Sequence, residues 1–276
     1  MTKARQWPRF DDRLLRCKGF KQGIMADRVN VLGVGISPLS IPLAVAAMER
    51  AIDHRSKGYI CVTGVHGVSE AQDNAGFRSI LNRAFLNTPD GMPMVWLGKL
   101  AGNPAMDRVY GPDLMLQVCR VSGQTHWKHF FYGGAPDVAE LLAKTLRTRF
   151  PHLQVVGTYT PPFRPLNPEE KEDLQRQVAA VQPDIIWVGL STPKQEQWMY
   201  AHRDKLQVPV MLGVGAAFDL NTGRLTQAPE WMRENGLEWL FRLCAEPRRL
   251  WSRYIVNGSK FAWAVCLEHL APRIFG

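Results

Sequence analysis

The sequence is poor in the features that most often announce a functional class. Its five cysteines (Cys17, Cys61, Cys119, Cys244 and Cys266) are odd in number, widely spaced and never arranged as Cys-x-x-Cys. That pattern argues against a disulfide framework or a structural zinc and fits a reducing cytoplasm. No apolar run approaches the roughly 20 residues that a membrane-spanning helix needs. The longest near the end runs only from Phe261 to Leu267. Met1-Thr2-Lys3-Ala4-Arg5 leads into no apolar segment, so no signal peptide is expected. Gly33-Val34-Gly35 and Gly213-Val214-Gly215 fall short of a dinucleotide fingerprint, with Pro38 and Phe218 where a glycine is required. A Walker A loop is missing as well, which disfavours NAD and ATP chemistry. There is no Asp-x-Asp, so the usual metal clamp for a nucleotide diphosphate lacks support.

What is present can build a core. The chain has 276 residues, 46% hydrophobic and 21% charged, which excludes disorder, collagen and coiled coil. The net charge of +9 sits at the two ends. Residues 1–30 carry eight basic and three acidic side chains, residues 241–276 six and two, and residues 31–240 are neutral. A nucleic-acid binder normally shows a basic stripe on its folded face, so nucleic acid is not expected as a partner. The C-terminal stretch adds Trp239, Phe241, Trp251, Tyr254, Phe261, Trp263 and Phe275 to its arginines. Basic, aromatic and apolar together suit a membrane surface, or equally a helix packed on its own protein.

From Asn30 onward, short β-branched runs alternate with amphipathic stretches. Val29–Val34, Tyr59–Thr63, Trp127–Tyr132, Leu153–Gly157, Asp184–Gly189 and Val208–Val214 read as strands. Pro42–Arg55, Ser69–Phe85, Asp137–Arg149 and Glu169–Val181 read as helices, and after Pro229 the pattern is wholly helical. The expected fold is α/β, a Rossmann-like and mostly parallel sheet with helices on both faces and a C-terminal helical appendage. The division expected is a basic extension (1–28), a catalytic body (29–228) and the appendage (229–276).

Ligands of an open parallel sheet bind beyond the carboxyl ends of its strands. The loops there include Thr63-Gly64-Val65-His66, Thr88-Pro89-Asp90-Gly91, Gly133-Gly134-Ala135-Pro136 and the stretch from Gly189 through Lys194 to Glu196. A further one runs from Gly213 to Asp219. Gly133, Gly134 and Gly189 could let backbone N–H groups approach an anion, or could serve tight turns only. Lys194 is a further substrate-binding candidate on the same rim. Asp90 stands out as a turn carboxylate, with a capping role as the alternative. Arg108 and Asp113 flank Gly111-Pro112. His66 lies in a mouth loop and could orient a sugar hydroxyl or be structural. His126 and His129 have no third ligand, so zinc is not expected. Arg242, Arg249 and Arg253 could converge on a diphosphate, the alternative being salt bridges to Glu238 and Glu246.

These pieces, in this order, resemble the WecG/TagA/CpsF family, glycosyltransferase family 26. The matching motifs are Thr88-Pro89-Asp90-Gly91-Met92-Pro93, Arg108-Val109-Tyr110-Gly111-Pro112-Asp113-Leu114, Phe131-Tyr132-Gly133-Gly134 and Pro193-Lys194-Gln195-Glu196. Gly213 to Asp219, Ala228-Pro229-Glu230-Trp231 and Gly236-Leu237-Glu238-Trp239 through Tyr254 continue the match. Within the family, Thr63-Gly64-Val65-His66-Gly67 is similar to GumM-type enzymes of exopolysaccharide synthesis. The resemblance implies transfer of a hexose from a UDP-sugar to a sugar on polyprenyl diphosphate, with inversion and without a metal or other cofactor. UDP-glucose is the favoured donor and UDP-N-acetylmannosamine the alternative. It further implies Asp90 as general base, Arg108 and Gln195 as active-site residues, Thr63 as pocket lining and Asp219 as a nucleoside contact. Arg242, Arg249 and Arg253 match appendage arginines that close over the diphosphate. Two departures stand out. Many members have Thr-x-Asn where this chain has Thr63-Gly64-Val65, and some carry arginine in place of Ser252. The implied location is the cytoplasmic face of the cell membrane, with a homo-oligomer left open. The rival reading is a non-catalytic basic protein that binds membranes or nucleic acid with a steep salt dependence.

Overall fold

The computed structural model describes residues 28–274, without the side chains of Arg249 and of residues 269–274. The basic extension expected over 1–28 therefore lies outside the described residues, apart from Arg28. The described chain opens with a hairpin instead of the single strand expected over Val29–Val34. β1 (Val29–Val31) pairs antiparallel with β2 (Val34–Ile36), apart from the main sheet. Leu32 (φ 51°) and Gly33 (φ 81°) form its turn, and two positive φ values match the twist of paired strands. The Gly33 N–H donates to Asn30 Oδ1 at 2.9 Å, a local bond that the hydropathy pattern does not reveal.

α1 (Ile41–Asp53) leads to β3 (Gly58–Thr63). The helix expected over Ser69–Phe85 is two helices, α2 (Val65–Asp73) and α3 (Ala75–Asn82). Asn74 divides them by taking an extended conformation and accepting the Phe77 N–H on its Oδ1 at 2.9 Å, which caps α3. Thr88-Pro89, expected in a loop, belongs to β4 (Leu86–Pro89). A proline is tolerated there because β4 is an edge strand and Pro89 its last residue. The chain continues through α4 (Met92–Leu100), α5 (Gly111–Thr125), β5 (Lys128–Gly133), α6 (Val138–Arg149) and β6 (Gln154–Tyr159). Next come α7 (Pro168–Val181), β7 (Ile185–Gly189), α8 (Lys194–His202) and β8 (Val210–Gly213). The acidic residues after Asn167-Pro168 close a capping box on α7, with Asn167 and Glu170 each accepting the other's backbone N–H at 2.8 Å.

Six strands form an all-parallel sheet in the order β4-β3-β8-β7-β5-β6. Alternation along each strand feeds two cores, one on either face. Ile60, Phe131, Trp187 and Leu212 point to one core, and Tyr59, Cys61, Tyr132, Val188 and Met211 to the other. The register sets Thr63 beside Pro89, Gly133 beside Gly189 and Val188 beside Gly213. All the mouth loops therefore leave from one edge of the sheet.

After β8 come α9 (Ala217–Asn221), α10 (Glu230–Glu234), α11 (Glu238–Ala245) and α12 (Pro247–Trp251). A π-helical turn (Ser252–Val256) and α13 (Asn257–Ile274) complete the described chain. α13 packs on α2, with Phe261 in the second core and Ser69 Oγ donating to the Asn257 carbonyl at 3.4 Å. Trp231, Trp239, Trp251 and Trp263 stay exposed along these helices. Among the described residues, no helix is long and apolar enough to cross a membrane.

Candidate active site

Asp90 sits where two strand ends meet. Its N–H donates to the Thr63 carbonyl at 2.9 Å, and the Val109 N–H donates to the Pro89 carbonyl at 2.8 Å. Gly64 is required beneath it, since a Cβ there would fall 2.8 Å from the Asp90 carbonyl oxygen. Gly91, at φ 86°, turns the chain directly into α4. The Asp90 backbone is therefore clamped on both sides. Its Oδ1 is covered and accepts no hydrogen bond, while the side chain as a whole remains 34% accessible. Arg108 Nε lies 3.8 Å from that oxygen. An Asp that served only to cap a turn would spend its carboxylate on backbone N–H groups, and this one does not.

Arg108 is itself firmly held. The Asp107 carboxylate accepts the Arg108 backbone N–H, and the guanidinium lies 4.2 Å above the Tyr110 ring. Its Nη2 donates to Glu238 and its Nη1 to the Arg233 carbonyl, so one side chain ties the sheet's mouth to α10 and α11. Burial lifts the Asp90 carboxyl above the ordinary aspartate range. Arg108 opposes that lift, Glu238 reinforces it, and Arg253 and Arg242 oppose it in turn. Burial works against the charge on Arg108, but Asp90 and Glu238 more than restore it.

His66 lies in the first turn of α2, within electrostatic reach of Arg253. Burial first, and the Arg253 guanidinium second, lower it to about 4, so it is neutral at pH 7. It shares a backbone hydrogen bond with Thr192 and lies 3.7 Å from Glu70. Thr63, Asp90, Arg108, His66, Arg242 and Arg253 thus belong to one connected group. Arg249 lies on α12, with its side chain outside the described residues.

Other candidates have different occupations. Gln195 is buried, its Nε2 donating to Glu196 at 2.9 Å and its Oε1 accepting the Gly215 N–H at 3.0 Å. It braces one mouth loop against the next. Gly133 (φ 113°) and Gly134 (φ 83°) need their glycine conformations, and the Gly134 N–H donates to the Gly189 carbonyl at 2.9 Å. A Cβ on Gly189 would fall 2.6 Å from the Phe218 ring. These three glycines therefore close-pack the loops. Lys194 is exposed at the start of α8, and Asp219 lies 3.7 Å from Arg224 Nε.

Sequence reasoning missed three residues. It offered Glu238 only as an alternative salt-bridge partner for Arg242, Arg249 and Arg253, whereas the carboxylate reaches Arg108, 130 residues back along the chain. Its signal was an acid at the start of a mostly apolar helix. Tyr110 sits two residues beyond Arg108, on the same side of an extended segment. Glu196 is 1% exposed and accepts from Thr192 Oγ1 and Gln195 Nε2, both at 2.9 Å. Burial raises its carboxyl, against those hydrogen bonds and Arg253. His129, already set aside as a zinc ligand, is buried between Trp187 and Ser122. Among the described residues, no three His, Cys, Asp or Glu side chains gather as a metal site.

The sequence model of the "Glycosyl transferase WecG/TagA/CpsF family" matches residues 29–274. The chain is 29% identical over 226 residues to the N-acetylglucosaminyldiphosphoundecaprenol N-acetyl-beta-D-mannosaminyltransferase of Bacillus spizizenii W23, covering 82% of this chain and 85% of the relative. Proteins of the same name from Bacillus subtilis 168 and Staphylococcus aureus NCTC 8325 are 26% and 24% identical. Those matches cover 86% of this chain and 93% of the first relative, and 81% and 87% for the second.

Proposed function

The chain belongs to the WecG/TagA/CpsF family and is a glycosyltransferase, and from that premise we propose that it moves a hexose from a UDP-sugar onto a sugar carried by polyprenyl diphosphate. The observation that carries this reading is Asp90, a clamped and half-open carboxylate bordered by Arg108, Arg242 and Arg253. In a single displacement, the acceptor hydroxyl oxygen bonds to the sugar's C1 as its proton passes to Asp90. The bond from C1 to the diphosphate oxygen breaks on the opposite face, the electron pair leaves with UDP, and the configuration inverts. Burial makes Asp90 a stronger base than a solvated aspartate, while the arginines favour its ionised form against that burial. The same arginines offset the charge growing on the departing diphosphate. Arg249, one turn before Arg253, joins them in this scheme.

UDP-glucose is the favoured donor. Val65 supports it, since it presents no polar group where many members offer asparagine to the pocket. A second reading, an N-acetylmannosamine donor, is favoured by the relatives' names. For the acceptor, the same names support an N-acetylglucosamine on undecaprenyl diphosphate. The exposed tryptophans of α10–α13, together with Arg248 and Lys260, support peripheral attachment at the cytoplasmic membrane surface. The N-terminal extension is assigned no role.

The test incubates the protein with a UDP-sugar panel and a short-chain polyprenyl-diphosphate N-acetylglucosamine, and weighs the products. One donor should add one hexose mass and release UDP. Asp90→Asn should lower turnover by at least about a thousandfold, in line with loss of a positioned base, and leave UDP binding intact. Near-normal transfer by that variant removes Asp90 from the role. A protein that stays wholly in solution when floated with anionic vesicles removes the membrane assignment.

A further inference from the structure

The helix that follows Asp90 turns an apolar face to solvent. The inner side of α4 is an ordinary core contact, with Met94, Val95 and Gly98 buried and Met106 packed over Gly98. Its outer side carries Trp96 and Leu100, an i, i+4 pair on one face, 52% and 80% exposed. Lys99 is exposed beside them, and so is most of the loop from Ala101 to Ala105. Residues 92–106 hold Lys99 as their single charge and no acidic side chain. A surface helix normally keeps its apolar stripe for the core and its charges for water. α4 shows Trp and Leu to water as well.

Charge, hydrogen bonding and area decide what covers this face. One cation without an acid complements an anionic surface, and Trp, Leu and Lys together suit the boundary between lipid headgroups and acyl chains. Besides Lys99 the face offers only the Trp96 indole and Asn103, whose Nδ2 already donates to the Ala101 carbonyl at 3.3 Å. Protein interfaces carry about one hydrogen bond per 100–200 Å², whereas acyl chains require none. Two large side chains, one of them only half exposed, also fall well short of the roughly 800 Å² per partner of a stable dimer.

The position of the face agrees. α4 starts directly after Asp90-Gly91, and the turn between α10 and α11 packs on it. A Cβ on Gly236 would lie 3.0 Å from Met92 and 3.7 Å from the Trp96 ring. The face therefore joins the appendage that carries the exposed Trp231 and Trp239. Eight residues of helix set Leu100 about 12 Å along the axis from Met92. A diphosphate and a sugar ring separate the acceptor hydroxyl from its lipid tail, so a base that serves it has to stand off the apolar layer. Asp90 does so when Leu100 lies in that layer. The acidic Asp107, Glu230 and Glu234 line a hollow with Met92, at the end of α4 nearer the base.

We propose that the outer face of α4 is a second membrane contact, with Trp96 and Leu100 at the headgroup–acyl boundary of an anionic bilayer and Lys99 among the headgroups. The catalytic body then docks by itself as well as through the appendage. The proposal rests on the membrane-attached transferase reading and extends it to an element that reading leaves out.

Flotation of the full chain tests it, with vesicles of phosphatidylcholine alone and of phosphatidylcholine mixed with phosphatidylglycerol. Leu100→Glu should weaken partitioning into the mixed vesicles about tenfold or more, the worth of one buried leucine side chain. Leu100→Ser adds no charge, should act in the same direction, and serves if the charged variant fails to fold. Lys99→Gln should lose about fivefold on mixed vesicles and nothing on phosphatidylcholine alone. Thermal melting should leave all three at the wild-type midpoint, because both positions are exposed. Transfer to a water-soluble short-chain acceptor should stay unchanged, while transfer to a full-length polyprenyl acceptor in vesicles should fall with partitioning. Leu100 variants that float as the wild type does overturn the contact. A wild-type dimer in sedimentation that Leu100→Glu dissociates also overturns it and gives the face to a second copy. Lys99→Gln unchanged on the mixed vesicles overturns the anionic-surface assignment. A wild type that does not float overturns this contact and the membrane assignment together. Absence of transfer with every donor, alongside flotation that the variants weaken, overturns the reaction and leaves the contact standing.

Discussion

Asp90 and Glu238 share one guanidinium, and that arrangement makes opposite predictions for neighbouring substitutions. Glu238 holds the Asp90 carboxyl up, whereas Arg242 and Arg253 pull it down. The proposed base works only when ionised, so the acid limb of kcat/KM should lie above the ordinary aspartate value of about 3.9. Glu238→Gln should move that limb to lower pH, and Arg242→Gln should move it to higher pH. A pH profile on each variant checks both signs, whatever each does to the rate itself. If both limbs stay where the wild type has them, these charges do not govern Asp90. At this scale the candidate residues were readable one at a time, because a carboxylate between Pro89 and Gly91 has a local signature. Their pairing was not readable. Arg108 chooses Glu238 across 130 positions, and Gln195 reaches Gly215 from a different loop.

At the scale of elements, the mouth depends on loops that pack without side chains. Gly189→Ala would set a Cβ 2.6 Å from Phe218, whose ring also packs edge-on against Phe131 at 5.8 Å. The ring cannot give way without disturbing the core, so this substitution should cost about 1–3 kcal/mol. A lower midpoint in urea unfolding, at unchanged slope, would register it. Asn74 offers the complementary case. Asn74→Ala removes the cap of α3 and should cost about 1 kcal/mol with little change in kcat. Strand alternation and helix periodicity disclosed most elements. They failed at Leu32-Gly33, at Asn74 and at Thr88-Pro89. There a turn geometry, a side-chain cap and an edge position decide the backbone, and none of these alters hydropathy.

The whole molecule carries a latent sensitivity to acid. His129 is buried, accepting from Trp187 Nε1 at 2.9 Å on Nδ1 and lying 2.8 Å from Ser122 Oγ through Nε2. Ser122 in turn donates to the Val118 carbonyl, which fixes the direction of the chain of bonds. Burial lowers His129 to about 3. His66, at about 4, and His202 are lowered too. A histidine kept neutral by the fold binds fewer protons than it does unfolded. Its contribution is therefore whole above the unfolded value of 6.5 and is lost as pH falls toward the folded one. At pH 5 His129 alone should withdraw about 2 kcal/mol. Urea unfolding at pH 8, 6.5, 5.5 and 5 checks this: stability should be flat over the first pair and fall over the rest. A flat profile down to pH 5 would mean that His129 is protonated in the fold.

By itself the sequence determined the class of fold, the family and the chemical inventory. Strand alternation, helix periodicity and motif blocks are local properties, legible without knowing what folds against what. It also disclosed that the excess positive charge lies at the ends of the chain. Tertiary structure alone decided which of those groups face one another. It paired Arg108 with Glu238, gave Gln195 to a neighbouring loop, buried His129 as a structural base and left Trp96 and Leu100 on the open face of α4. The physical reason is that charge coupling, desolvation and exposure depend on distance in space. In a parallel sheet, strands far apart in sequence end side by side, and only their packing sets those distances.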